Sequence, residues 1–506
     1  MKAINIMNFV RCIDERFEDK ENIQFEATAR ELSLVNEFGY ENTFLLQYDV
    51  LCSDRYLKLF SENATERTEL GLWYEIVEPL TSACGLPYRS ENGWKWDWHI
   101  IPGFSMAYTV REREMLADEA MRKFRETFGY YPRTIASWVI DTHTVNYLCE
   151  NYDIDAIAIC RDQTSTDAYT LVGGYFNQAY YPSKYNVFTP AQTAENRVNT
   201  PVFRLLGPCP LHNYDMRKYL SDETNEWFGK GGCFTLEPVW KTGYTPECVD
   251  WFFKTYFENE DLGFSYAQLG QENSFAPCID FIPALRMQFE KLQKRNDVTV
   301  AKMCDTGAYL KKIYVGKTPA TTVFADDDWD KYSDAQSLYY DSENYVANLY
   351  RYDDTIFIRA LYLFDERVKD LYLTEKCTTF DAIYENLPIV DTFIWNLPDK
   401  KRSGLVIDSA RGSISVSREG ESTAIARFDG GFVRFSESDI TVRASGATLY
   451  VGSPTADIRI TDTGLEYSYK GSIYFLDVFG ADVEMTDGGY RFVSESGEFT
   501  IQPRRA

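Results

Sequence analysis

The N-terminal part of the chain alternates short apolar runs with amphipathic stretches of helical length. Runs of about four to eight apolar and β-branched residues predict buried strands, and apolar positions spaced three and four apart predict the helices between them. This alternation indicates parallel βαβ units, because parallel strands need a crossover connection. The predicted strands cover residues 3–10, 42–48, 70–74, 134–140, 156–160, 202–206, 233–236, 264–269 and 298–303.

The pattern changes at about residue 321, where apolar and polar residues begin to alternate in short runs. Glycine and Asp-Gly turns separate these runs, for example at Asp429-Gly430 and Asp487-Gly488. Strict alternation is typical of antiparallel strands with one buried face. The chain is therefore predicted to form a (β/α)7-8 barrel at residues 1–320, followed by a C-terminal antiparallel β-sandwich-like domain at residues 321–506.

Charge and composition limit the possible partners and the compartment. A formal net charge of -25 argues against nucleic acid or an anionic membrane surface as partner. Asn5 and Asn8 interrupt the apolar N-terminus, which indicates a first strand and not a signal peptide, and no apolar run is long enough to predict a membrane helix. The 11 cysteines are scattered without a CxxC pair, so we expect a reduced, cytoplasmic protein.

Acidic residues follow several of the predicted barrel strands. The carboxyl ends of barrel strands carry the active site in such folds, and glycosidic bond hydrolysis needs two carboxyl groups. Aromatic residues make up 16% of the chain, which suits a site that stacks on sugar rings. These features predict an enzyme that hydrolyses an oligosaccharide or glycoside without a cofactor. Each acid could instead cap a helix or pair with an arginine.

Three acidic residues are the candidates for catalysis. Asp141 follows the apolar run of residues 134–140 and precedes a helix-like segment, so it can be a nucleophile or base, or an N-cap. Glu237 precedes Pro238, which favours extended backbone and makes a capping role less convincing. Glu272 lies in a polar cluster and could also occupy the first turn of a helix. We predict Asp141 as nucleophile or base, with Glu237 and Glu272 competing for the role of acid.

Other polar and aromatic residues fall at predicted strand ends or in aromatic loops, where they could bind a sugar through amides, charges and ring faces. These candidate substrate-binding residues are Arg11, Gln47, Asp49, Glu75, Trp96, His99, Trp138, His143, Arg161, Asp162, Tyr175 and Gln268.

The segment Trp138-Val139-Ile140-Asp141, with His143 beyond it, resembles the W-x-I-D segment that carries the nucleophilic aspartate of family 38 α-mannosidases. The order of barrel and β-rich part is similar to the wider superfamily of family 38 and family 57 glycoside hydrolases and polysaccharide deacetylases. This resemblance covers residues 1–320 in architecture and implies that Asp141 is the nucleophile on the fourth strand. In family 57 the acid comes from a later strand, a position that Glu237 or Glu272 would fill.

The sequence departs from this superfamily at its metal ligands. Asn8-Phe9-Val10-Arg11 stands where family 38 enzymes carry a His-x-Asp zinc motif, and the Asp-Asp and His-x-x-x-His ligands of the deacetylases are also missing. The three histidines, His99, His143 and His212, lie far apart without metal-ligand spacing. We therefore expect no metal. The alternatives left open are a zinc site using these histidines or His143 with Asp141, a metal-dependent carbohydrate deacetylase, and a non-catalytic carbohydrate-binding barrel.

Overall fold

The computed structural model describes most of the chain. The described residues are 1–15, 20–160, 163–166, 169–171, 173–176, 178–205, 209–212, 235–259, 262–331, 333–379, 382, 386–391, 404–451 and 456–506.

A curved, mostly parallel sheet forms the N-terminal part, with its strands in the order β10-β1-β2-β3-β4-β5-β9-β8. Each neighbouring pair from β10 to β9 is parallel, β8 is antiparallel to β9, and β11 pairs with the first half of β1. The strands described in this part are β1 (Lys2–Val10), β2 (Asn42–Leu46), β3 (Thr68–Trp73), β4 (Thr134–Ser137), β5 (Ala156–Ile159), β6 (Gln163–Thr166), β7 (Tyr169–Leu171), β8 (Ala179–Tyr180), β9 (Val202–Arg204), β10 (Ser265–Leu269) and β11 (Thr299–Ala301).

Side-chain packing brings the two ends of this sheet together. The ring of Phe203 on β9 lies 5.4 Å from the ring of Tyr266 on β10, measured between centroids, and 6.5 Å from that of Phe264. These strands stand at opposite ends of the parallel order, so the sheet is curled into a nearly closed barrel. The predicted α/β barrel is confirmed.

Helices surround the barrel and close one of its ends. The described helices are Lys20–Phe38, Asp54–Asn63, Glu78–Ala83, Ile100–Gly103, Val110–Phe128, Thr142–Asn151, Lys241–Tyr244, Pro246–Phe257, Ile282–Leu292 and Met303–Ile313. The last of them begins at the amino ends of two strands, because the Met303 N–H donates to Thr43 Oγ1 at 3.0 Å and the Cys304 N–H to Glu69 Oε2 at 3.0 Å. Chemistry is therefore expected at the opposite, carboxyl ends of the strands. Among these helices, none is both long and apolar enough to cross a membrane.

Two antiparallel sheets form the C-terminal part. Their strand orders are β12-β13-β14-β15-β17-β22-β27-β26, with β16 beside β15, and β18-β19-β20-β21-β28-β25-β24-β23. The bounds are β12 (Thr321–Ala325), β13 (Gln336–Asp341), β14 (Tyr345–Tyr352), β15 (Thr355–Leu363), β16 (Leu387–Asp391), β17 (Gly404–Ile407), β18 (Arg411–Glu419), β19 (Thr423–Asp429), β20 (Gly431–Phe435), β21 (Ile440–Arg443), β22 (Gly446–Tyr450), β23 (Asp457–Thr461), β24 (Gly464–Tyr469), β25 (Ser472–Phe479), β26 (Asp482–Thr486), β27 (Gly489–Val493) and β28 (Phe499–Arg505).

The sheet that contains β13 and β14 is buried on both faces. Tyr339 and Tyr350 belong to the core that also fills the barrel, whereas Leu338 and Leu349 belong to the core shared with the second sheet. Neighbouring residues point to opposite faces of a strand, so one face packs against the barrel and the other against the second sheet. The predicted C-terminal sandwich is confirmed, and its first sheet also covers one side of the barrel.

One predicted strand differs from the structure. Residues 233–236 were expected to form a barrel strand, of which residues 233 and 234 lie outside the described residues. Thr235 and Leu236 form bends and not strand, although both are buried. Their burial explains the apolar pattern, because a buried bend and a buried strand need the same residue types.

Candidate functional site

Arg11 lies at the centre of a buried charged cluster at the carboxyl ends of the barrel strands. It directly follows β1 and is 1% exposed. Its Nε and Nη2 atoms donate to the two carboxyl oxygens of Glu75, at 3.0 and 2.9 Å, and its Nη1 lies 2.9 Å from Glu272 Oε1. The cluster thus joins residues that follow β1, β3 and β10. All three were predicted site residues, and the structure brings them together.

A glycine turn carries Glu272 across the end of β1. Gly270 has a φ of 107°, and a Cβ at this position would lie 2.1 Å from the carbonyl oxygen of Met7, so no other residue fits without a shift of the backbone. Beyond this turn, the Arg11 N–H donates to Asn273 Oδ1 at 3.0 Å, and Asn273 Nδ2 donates to the Arg11 carbonyl at 2.8 Å. Asn273 therefore fixes the backbone from which the Arg11 side chain extends.

Glu75 is saturated with donors. Besides the two bonds from Arg11, it accepts from Gln47 Nε2 at 2.7 Å and from Trp96 Nε1 at 2.8 Å. The Arg11 guanidinium also lies 4.6 Å from the centroid of the Trp96 ring, within cation–π range. Through its two bonds from Arg11, Glu75 holds the guanidinium in place, and Gln47 and Trp96 fix the Glu75 carboxylate in turn.

Glu237 and Glu272 form a pair of unequal carboxyl groups. Burial and the nearby charge of Glu272 raise the pKa of Glu237 to about 8, against the opposing effects of a hydrogen bond from Trp240 and of the Arg11 charge. Trp240 Nε1 donates to Glu237 Oε2 at 2.9 Å, and Gln271 Nε2 lies 3.4 Å from Oε1. Glu237 is thus protonated at neutral pH, while Glu272 faces a cation. Two carboxyl groups with such different surroundings are typical of acid–base sites.

Asp49 fixes the loop that follows Arg11. Its Oδ2 accepts from the N–H groups of Cys12 at 3.0 Å and Ile13 at 2.6 Å, and its Oδ1 from the N–H of Val50 at 2.8 Å. Burial raises the pKa of Asp49 to about 6, although these backbone hydrogen bonds oppose the shift. Asp49 was predicted to bind substrate, and its contacts are those of a residue that positions the loop.

Aromatic rings line the barrel interior below this cluster. Phe9 stacks on Trp73 with centroids 4.4 Å apart, and Trp138 meets both edge-on at 5.6 and 5.1 Å. All three rings are buried, as is Gln268 on β10. Trp138 and Gln268 therefore lie in the barrel interior, whereas His99 is partly exposed in the loop beside Trp96.

Asp141 has the surroundings of a structural residue. It is fully buried, and its Oδ1 lies 2.9 Å from Arg113 Nη1 and accepts from the Thr144 N–H at 3.0 Å. Its Oδ2 accepts from the hydroxyls of Ser105 at 2.5 Å and Thr144 at 2.7 Å. Asp141 is the N-cap of the helix Thr142–Asn151, the second of the two roles that the sequence left open. None of these partners belongs to the Arg11 cluster.

The remaining predicted residues lie away from the Arg11 cluster or outside the description. His143 pairs with Glu114 at 3.1 Å on the outer helices, and the buried hydroxyl of Tyr175 donates to the carbonyl of Pro319, close to the first sheet of the sandwich. Arg161 and Asp162 lie outside the described residues.

The histidines do not converge on a metal site. His99 pairs with Asp97 at 2.6 Å and His212 with Asp328 at 3.2 Å, so each of the three histidines faces a different carboxylate. Within the described ranges, no group of three or more His, Cys, Asp or Glu side chains could hold a metal ion.

The sequence did not single out Trp240 or Asn273 for their observed roles. Trp240 could have been suspected, since it stands three residues after Glu237 and a tight turn brings such residues together. Asn273 belongs to the polar cluster around Glu272, but its pairing with the Arg11 backbone joins positions 262 residues apart and has no local signal.

Comparison with known proteins shows a likeness of fold and does not assign the chain to a family. No family model and no curated protein matches the sequence. A solved structure from Parabacteroides distasonis, provisionally described as a glycoside hydrolase/deacetylase, is similar with a TM-score of 0.51 and 13% identity, over 76% of this chain and 88% of that one. A provisionally described polysaccharide deacetylase from Mycobacterium smegmatis gives a TM-score of 0.37 with 13% identity, over 62% and 90% of the two chains.

A family 57 branching enzyme from Thermococcus kodakaraensis gives a TM-score of 0.33 with 8% identity, over 62% of this chain and 71% of that one. The likeness of fold that the sequence suggested is confirmed by the structure from Parabacteroides distasonis.

Proposed function

We propose that the protein is a glycoside hydrolase in which Glu237 is the general acid and Glu272 the second catalytic carboxylate. The observation that carries this proposal is the unequal pair itself. Burial keeps a proton on Glu237, whose pKa is raised to about 8, while Glu272 lies 2.9 Å from the Arg11 guanidinium. Glu272 follows β10 at the carboxyl ends of the barrel strands, and Gln271 beside it lies 3.4 Å from Glu237, which supports the assignment.

The two carboxyl groups would divide the reaction in the usual way for glycosidases. Glu237 would donate its proton to the oxygen of the leaving sugar, and Glu272 would attack the anomeric carbon or deprotonate the attacking water. Arg11 would hold the orientation of Glu272, and Glu75 would fix Arg11 through the bidentate pair. Asp141 has no part in this scheme.

A metal-dependent deacetylase is the main alternative, and no group of metal ligands in the described part of the chain favours it. Its chemistry needs a ligand set around the metal. The histidines that could contribute are each engaged with a different carboxylate. The proposal therefore keeps the two-carboxylate reaction.

The test compares Glu237→Gln and Glu272→Gln with the wild-type protein on a panel of aryl glycosides and oligosaccharides. Losing the general acid should cost about 10²–10⁴-fold with a sugar leaving group and much less with a dinitrophenyl leaving group, which needs no protonation. Glu272→Gln should abolish turnover with both kinds of substrate. Glu247→Gln, an exposed carboxylate on the helix Pro246–Phe257, is the matched control.

Two results would contradict the proposal. One is a panel on which the wild-type protein cleaves no glycoside but removes acetyl groups in a metal-dependent way. The other is a Glu237→Gln variant that loses the same factor in turnover with both leaving groups. A general acid assists the departure of the sugar, which is a poor leaving group, and not that of dinitrophenolate.

A further inference from the structure

Three tryptophans form a row from the Arg11 cluster toward the protein surface. Trp96 is buried and donates to Glu75 at 2.8 Å. The ring of Trp98 lies 6.1 Å from that of Trp96, and the ring of Trp94 lies 5.2 Å from that of Trp98. Trp94 and Trp98 are only partly buried. The row therefore begins at a residue that contacts the proposed catalytic cluster and continues with rings that solvent can reach.

His99 extends the platform beside Trp98. The two rings are stacked with centroids 5.1 Å apart and an interplanar angle of 27°. The side chain of His99 is 31% exposed, so the pair offers both an apolar face and a polar edge. Sugar rings present the same combination, with apolar C–H faces and hydroxyl groups around the edge.

The loop that carries these rings is held in one shape by Asp97. This buried carboxylate accepts from Ser90 Oγ at 2.8 Å and Asn92 Nδ2 at 3.3 Å, and from the backbone N–H of His99 at 3.1 Å. Its Oδ1 also lies 2.6 Å from His99 Nδ1. A platform fixed before binding loses little conformational entropy on contact with a ligand, which favours affinity.

Packing of the loop does not require Trp94 and Trp98 to be partly exposed. Indoles are among the largest apolar groups, and a row of them left partly open beside a polar cluster is typical of a binding surface. If these rings served only the loop core, the outer two would be expected to be as buried as Trp96.

We propose that Trp94, Trp98 and His99 form a sugar-binding subsite that continues the catalytic site outward, so that the substrate is a neutral oligosaccharide chain and not a single glycoside. This inference rests on the proposed function of the Arg11 cluster. One pyranose unit stacks on Trp98 and His99, and the next unit outward meets Trp94. The overall net charge of -25 disfavours association of the protein with acidic sugars.

The experiment measures binding by calorimetry in the Glu272→Gln background, which should hold substrate without turning it over. The probes are neutral hexaoses of glucose in α-1,4 and β-1,4 linkage, of mannose, of xylose and of N-acetylglucosamine, each with its monosaccharide. We expect one hexaose to bind more tightly than its monosaccharide. Trp98→Ala should weaken that hexaose at least tenfold and reduce the affinity ratio of hexaose to monosaccharide, whereas Trp98→Phe should recover most of the loss because a ring face remains.

Tyr131→Ala is the control variant. Tyr131 is 37% exposed in the connection between the helix Val110–Phe128 and β4, at the amino end of that strand and away from the Trp row. Its removal should leave hexaose affinity unchanged. Thermal unfolding of all variants checks that the loop changes have not unfolded the protein.

The inference and the proposed function fail in different ways. The inference is overturned if no hexaose binds, if Trp98→Ala leaves hexaose affinity unchanged, or if it weakens hexaose and monosaccharide equally. Turnover of aryl glycosides would then still support the hydrolase. Hexaose binding that depends on Trp98, without turnover by the wild-type protein on any glycoside, would support the subsite and reject the hydrolase.

Discussion

Replacing Asp141 by asparagine separates a structural role from a catalytic one. The substitution keeps the side-chain shape and one oxygen, which can still accept from the Thr144 N–H as the helix cap does now at 3.0 Å. It removes the negative charge that lies 2.9 Å from Arg113, in a pair whose two side chains are both fully buried. The change therefore isolates the ion pair from the cap.

The expected cost follows from what Arg113 retains. Removing one partner of a buried ion pair costs about 3–5 kcal/mol, because the other charge is left uncompensated. Arg113 also donates to the carbonyls of Tyr108 at 2.8 Å, Met106 at 3.1 Å and Glu375 at 2.6 Å, which keep its N–H groups satisfied. We therefore expect the lower end, about 3 kcal/mol, for Asp141→Asn. Asp141→Ala also loses the cap and should cost about 1 kcal/mol more.

Urea unfolding followed by tryptophan fluorescence measures this loss, and turnover well below the unfolding transition measures catalysis. Asp141→Asn should be less stable but retain turnover within a few-fold of wild type. Asp153→Asn, an exposed aspartate near the end of the same helix, should change neither. An Asp141→Asn protein as stable as wild type but a thousandfold slower would refute the structural reasoning and restore Asp141 as the nucleophile expected from the sequence.

Three further changes test the site and the barrel around it. Activity should fall above about pH 8 as Glu237 loses its proton. Because the folded pKa of Glu237 lies above the ordinary 4.5, the free energy of unfolding should also fall as the pH rises from about 4.5 to 8. Glu237→Gln should lack this decline. An equal change in the free energy of unfolding with pH in both proteins would contradict the raised pKa. Glu31 is fully buried, no hydrogen-bond partner among the described residues meets its carboxyl oxygens, and burial raises its pKa well above the usual range. Glu31→Leu should raise the free energy of unfolding by about 1–3 kcal/mol at neutral pH, and a destabilised variant would show that the carboxyl is bound after all. Gly270→Ala should cost at least about 3 kcal/mol and most of the activity, because its Cβ would lie 2.1 Å from the Met7 carbonyl; wild-type turnover would mean that the turn can relax.

The barrel was predictable because its strands are buried on both faces. β1, with eight of its nine residues buried, has apolar residues on both faces, and after Lys2 only Asn5 and Asn8 interrupt the apolar run. The run at residues 134–140 shows the limit of this signal. Trp138, Val139 and Ile140 stay buried, but β4 ends at Ser137. The apolar pattern follows burial, so it continues beyond Ser137, where the strand hydrogen bonding stops.

The roles of the acids were only partly predictable. An aspartate between an apolar run and a helix fits a catalytic residue and an N-cap equally, and the deciding partner of Asp141 is Arg113, 28 residues earlier in the chain. The pairing of Glu237 with Glu272 depends on the left-handed turn at Gly270 and on the bridge through Gln271. The sequence marks such a glycine as a turn, but it does not show which strand end the turn will cross.

The charges of the Arg11 cluster explain why its carboxyl groups are unequal. Glu75 and Glu272 both lie within ion-pair distance of the same guanidinium, so one buried positive charge already faces two negative ones. Ionising Glu237 would add a third negative charge where burial and Glu272 both oppose it. Gln47 and Trp96 direct their N–H groups at Glu75, whereas Glu237 accepts from Trp240 and Gln271. Burial and the charge of Glu272 outweigh the hydrogen bond from Trp240 and the Arg11 charge, so the pKa of Glu237 is raised. In the proposed mechanism Glu75 would act indirectly, by occupying the cation that would otherwise compensate Glu237.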